Sequence, residues 1–171
     1  MIGAFAMFAL LACGRDAGGP VPKQGVVFVC EHGGAKSVVA AALFNARASA
    51  RNLPFRAESR GVVPDPRLAP AAVAGLRADG LNPDREVPLR VRRADVDGAT
   101  VVVAIDPLPP DLAKGARVET WETIPPISVD YAASRDAMLP RIDALLDELA
   151  RERGVRGSAP TSAKEGVETR R

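Results

Sequence analysis

Histidine occurs once, as His32, and cysteine twice, as Cys13 and Cys30. The two cysteines lie in segments of different character, which argues against a disulfide framework and leaves a lone intracellular-style thiol at Cys30. With one histidine and no cysteine or carboxylate cluster at ligand spacing, no zinc site can be assembled, and neither a metal nor another cofactor is expected. A surplus of charge is also lacking: 23 Lys and Arg stand against 21 Asp and Glu, a net +2. That balance speaks against a nucleic-acid partner, which calls for basic residues gathered on one face. The longest uncharged apolar run, MIGAFAMFALLA at residues 1–12, is too short to span a bilayer as a helix.

That run has instead the length of a signal-peptide apolar region, although no Lys or Arg precedes it. Leu10-Leu11-Ala12-Cys13 resembles a bacterial lipobox, which implies lipidation of Cys13 and a periplasmic or membrane-anchored protein. The alternative is a cytoplasmic chain whose first residues pack as a helix or precede the true start. Residues 14–25 read as a Gly/Pro linker, 26–153 as one folded domain, and 154–171, without periodicity, as a disordered tail.

Within the domain, Val26-Val27-Phe28-Val29 is a short, β-branched apolar run, as expected for a strand buried on both faces. From Ser37 the pattern turns helical until Asn52-Leu53-Pro54. Phe55–Val63, Ala99–Ile105 and Val118–Trp121 read as further strands. Pro70–Asp79 reads as a helix stopped by Gly80. Met138, Ile142, Leu145, Leu146 and Leu149 recur at helical spacing between Tyr131 and Arg153. Strands alternating with helices indicate an α/β sheet.

The turn after that first strand, Cys30-Glu31-His32-Gly33-Gly34-Ala35-Lys36-Ser37, is the candidate site. Ligands of open α/β sheets bind beyond the carboxyl ends of the strands, and this turn also supplies a helix N-terminus. Gly33-Gly34-Ala35 carries little side-chain bulk, so several backbone N–H groups can converge on one anion. The same amides and helix dipole favour a thiolate, which makes Cys30 a candidate nucleophile. The competing reading of Cys30 is a small buried residue that ends a strand.

Cys30, five residues, then Lys36-Ser37 resembles the Cys-x5-Arg-Ser signature of low-molecular-weight protein tyrosine phosphatases and of the arsenate reductases that share their fold. The resemblance continues through residues 59–91, the strand ATVVVAIDP at 99–107 and VETWETIPP at 118–126, covering about Val26 to Ala150. It implies an α/β fold, a three-layer sandwich around a central parallel four-stranded sheet with a phosphate-binding loop after the first strand. It also implies a nucleophilic role for Cys30, a thiolate-supporting hydroxyl on Ser37, and oxyanion binding by Glu31, His32, Gly33, Gly34, Ala35 and Lys36. Lys36 stands where the family has Arg. It keeps the charge but not the planar fork, and loss of one charge-assisted hydrogen bond costs about 1.5–3 kcal/mol. The family's acid-loop Asp-Pro is missing after Trp121. Asp130 is the candidate general acid and Glu122 a weaker one, although Asp130 also suits a helix N-cap.

Cys-x-His resembles the arsenate reductase branch, yet a thioredoxin-coupled reductase needs two more redox cysteines, which this chain lacks. Three functions are therefore carried forward. The first is hydrolysis of a phosphomonoester through a cysteinyl-phosphate. The second is arsenate reduction with a small external thiol as partner, and the third is non-catalytic oxyanion binding. Membrane contact is expected only through a lipid on Cys13.

Overall fold

The computed structural model describes residues 25–157, so the lipobox-like segment, Cys13, the linker before Gly25 and residues 158–171 lie outside the described part of the chain. Four strands form one parallel sheet in the order β2-β1-β3-β4, with β1 at Gly25–Cys30, β2 at Arg56–Gly61, β3 at Val101–Ala104 and β4 at Val118–Thr120. In β1, Val26 faces Ala57 on one side and Val101 on the other, and Cys30 ends the strand opposite Gly61. Its position as an inner strand explains why its sequence is apolar without alternation: both faces are covered.

The faces nevertheless differ. Val26, Phe28 and Cys30 point into the larger core with Phe44, Trp121, Met138 and Ile142, whereas Val27 and Val29 point to a smaller cluster with Val91, Val96 and Val102. This is the two-residue alternation of a strand feeding two separate cores. On the larger side lie α1 (Lys36–Ala50), α2 (Pro70–Ala78) and α5 (Tyr131–Gly157). The five apolar residues of α5 chosen from helical spacing are all buried. Phe28 anchors this core, its ring 5.8 Å from that of Phe44 and 5.4 Å from that of Trp121, both edge-on.

The smaller side is covered by α3 (Arg93–Gly98) and α4 (Pro110–Ala113), two elements not expected from sequence. They are too short to display a period. The helix α3 is fixed locally instead: Asp95 accepts a hydrogen bond from the Arg92 N–H at 2.8 Å and one from the nearly buried Arg60 guanidinium at 3.0 Å. The same carboxylate thus caps α3 and neutralises a charge at the end of β2. At the other end of the chain, α5 continues to Gly157, past the expected stop at Arg153. Among the described residues no helix is long and apolar enough to cross a membrane.

Candidate active site

Cys30 closes β1, and the chain then loops through residues 31–35 into α1 at Lys36. What shapes this loop is the segment after β2. The N–H groups of Val62, Val63, Asp65 and Ala69 donate to the carbonyls of Cys30, Glu31, His32 and Gly34, at 3.1, 2.8, 3.0 and 2.8 Å. With those carbonyls committed to the strap, the trans peptide planes turn their N–H groups the other way.

Two of those amides are already assigned. The Gly33 N–H donates to Cys30 Sγ at 3.2 Å, and the Glu31 N–H donates to a carboxylate oxygen of Asp106 at 3.0 Å. Those of His32, Gly34 and Ala35 meet no acceptor among the described residues. The helix that follows has Ala35 at its N-cap, no side-chain cap and no acidic residue in its first turn. Its positive end is thus open to an external anion. Glu31 and Gly33, grouped in the sequence with the oxyanion donors, spend their amides on Asp106 and on the thiol; the three open loop amides, with the first-turn amides of α1, are the donors left for a ligand.

The tight path depends on two glycines. Gly33 has φ +62°, and a Cβ there would lie 2.8 Å from the backbone nitrogen of Gly61. A Cβ on Gly61 would lie 2.6 Å from the nitrogen of Gly33. Both contacts are closer than any side chain tolerates, so loop and β2 end must both be glycine where they cross.

Cys30 is a buried free cysteine, 2% exposed, and Ser37 is fully buried, with Oγ 3.1 Å from Sγ. In the thiolate form the hydroxyl is the donor, joining the Gly33 amide on the sulfur. The side chains of Glu31 and His32 are exposed, and the imidazole stands 3.7 Å from both Glu31 and Asp65. Neither side chain is built into the cradle. Lys36 is paired through Nζ with Asp106, both side chains 22% exposed.

Asp106 was not singled out from sequence. It is the first polar residue after the apolar β3 run, at the carboxyl end of the strand next to β1, which is where α/β sheets place ligand-binding groups. The candidate acids sit differently. One Asp130 carboxylate oxygen accepts the Ala133 N–H at 2.9 Å, making it the side-chain cap of α5. Glu122 is exposed and offers its backbone carbonyl to Arg141 at 2.9 Å. Neither carboxylate is bonded to a residue of the loop.

The model of the family described as low molecular weight phosphotyrosine protein phosphatase matches residues 25–113, more than half of the chain. No curated protein sequence matches. Among solved structures, an arsenate reductase from Archaeoglobus fulgidus is 29% identical with TM-score 0.58, covering 71% of this chain and 98% of its own. The YwlE arginine phosphatase from Geobacillus stearothermophilus is 22% identical with TM-score 0.63, covering 80% and 99%. A low molecular weight protein tyrosine phosphatase from Bacillus subtilis is also 22% identical, with TM-score 0.62, covering 75% and 99%. Sheet order, loop position and family match agree: the chain belongs to the low molecular weight phosphotyrosine protein phosphatase family.

Proposed function

We propose that this protein hydrolyses phosphomonoesters through a cysteinyl-phosphate. The observation that carries the reading is the buried Cys30 sulfur held by the Gly33 amide and the Ser37 hydroxyl beside three open amides. The Cys30 thiolate attacks phosphorus, an S–P bond forms, and the ester P–O bond breaks as the leaving oxygen departs and takes a proton from solvent water. Water then attacks the phosphocysteine, restoring the thiolate and releasing phosphate. Backbone N–H groups and Lys36 hold the equatorial oxygens as charge moves through the transition state. In an assay with 4-nitrophenyl phosphate, Cys30→Ser is expected to abolish turnover; equally slow hydrolysis by both proteins would sink the reading. Lys36→Arg is expected to raise kcat/KM by about tenfold or more, since the fork supplies a second charge-assisted bond.

Arsenate reduction with an external thiol is the second reading, favoured by the engagement of Asp130 as a helix cap. Arsenate does not require protonation of a phenolate leaving group, so a weak acid loop handicaps it less. Arsenite formation in the presence of glutathione or mycothiol is the discriminating assay. Export with lipidation of Cys13 is proposed on the residues 1–13 pattern alone. Mass spectrometry of the mature N-terminus tests it: a diacylglyceryl Cys13 supports anchoring, and an intact Met1 overturns it.

A further inference from the structure

Asp106 occupies donors that face the loop. One carboxylate oxygen takes the ammonium of Lys36 at the loop's end, and the other takes the N–H of Glu31 at its beginning. A carboxylate seated on a cation and an amide of the same loop is chemically what an oxyanion would be. Lys36 is also the loop's signature cation, so its charge is already neutralised before any substrate arrives.

On the reading of Cys30 as the nucleophile of an oxyanion-binding loop, we infer that Asp106 is an internal counter-anion that competes with the bound dianion for Lys36 and so sets how tightly the loop holds free phosphate. A planar guanidinium could hold Asp106 and an equatorial oxygen with separate parallel edges. The compact ammonium of Lys36 is a point charge whose field is shared between neighbours. The pair is only partly exposed, so solvent does not screen it away. An ester gains contacts through its organic group, whereas inorganic phosphate has only the loop. The competition therefore bears hardest on the product, making Asp106 a specificity-determining residue that discriminates ester from free oxyanion.

The test is a double-mutant cycle on the full chain, with inorganic phosphate as the probe, read by calorimetry and by competitive inhibition of 4-nitrophenyl phosphate turnover. Asp106→Asn retains a carbonyl oxygen for the Glu31 N–H while removing the negative charge, and a thermal melt verifies that it folds. It is expected to tighten phosphate binding about tenfold. In a Lys36→Met background the same change is expected to give less than a twofold gain. Weaker or unchanged binding in Asp106→Asn, undetectable binding in both proteins, or a gain that persists without Lys36 would each overturn the inference. Absence of turnover in the wild type, with the binding cycle as expected, would remove the phosphatase reading and leave the role of Asp106 standing.

Discussion

The loop after β1 and the loop before α5 both carry residues that the family resemblance marks for chemistry, and their physical states are opposite. In the first, four carbonyls are tied down by the strap, the thiol has two partners, and three amides stay open. In the second, Asp130 is consumed as a helix cap, and the neighbouring Tyr131 hydroxyl donates to Asp79 at 2.7 Å, joining α5 to the end of α2. One loop is held by the strap after β2 with its amides turned outward, and the other is organised around its own helix. The lesson is that the first loop turns a buried thiol and open amides toward the end of the sheet, while the carboxylate of the second is spent on its own helix.

The sharpest way to break this contrast is Gly33→Ala. It forces a Cβ onto a residue with φ +62° and to 2.8 Å from the nitrogen of Gly61, so the loop must shift. Strain of about 1–3 kcal/mol, or displacement of the Sγ donor, is expected to lower kcat/KM by about 10- to 100-fold. Steady-state kinetics with an intact circular dichroism spectrum is the measurement. An unchanged rate would mean that the loop is not pre-formed.

Asp130→Ala probes the other side. Loss of a cap is expected to cost about 1 kcal/mol of stability, visible as a lower Tm, with kcat toward 4-nitrophenyl phosphate changed less than about threefold. A hundredfold fall in kcat, largest for poor leaving groups, would restore Asp130 as the general acid and erase the contrast. Tyr131→Phe carries the smallest effect, about 0.5–1 kcal/mol for one partly exposed hydrogen bond. Burial and then the bond to the Asp79 carboxylate hold the Tyr131 phenol above its ordinary value of 10.0. The denatured chain therefore ionises first: stability from this group is fully present below pH 10 and is lost as pH rises from there toward the folded value. Chemical denaturation across the alkaline range is expected to show that decline flattened in Tyr131→Phe.

Much of this was legible from sequence where a single local rule was decisive. Val26–Val29 and Val101–Ala104 declare buried strands because no polar residue interrupts them, and α5 declares its buried face by spacing. The strands β2 and β4 were found with ragged ends because edge strands mix polar and apolar residues. The helices α3 and α4 escaped because six and four residues cannot show a period. Cys30 stood out by its place between a strand and a Gly-rich turn, and Ser37 through the family resemblance, since both lie within one short stretch of sequence. Asp106 was invisible because its partners lie 70 and 75 positions earlier, and only the parallel pairing of β1 with β3 brings them together. The capping role of Asp130 was foreseen as an alternative, since an Asp before a helix start is a local signal.

The strap also makes the site report on itself by hydrogen exchange. The amides of Val62, Val63, Asp65 and Ala69 are each bonded to a loop carbonyl and exchange only when the strap opens, whereas those of His32, Gly34 and Ala35 have nothing to release. Adding an oxyanion is expected to slow the second set and leave the first nearly unmoved. Occupancy of the loop can then be followed amide by amide, whatever the turnover.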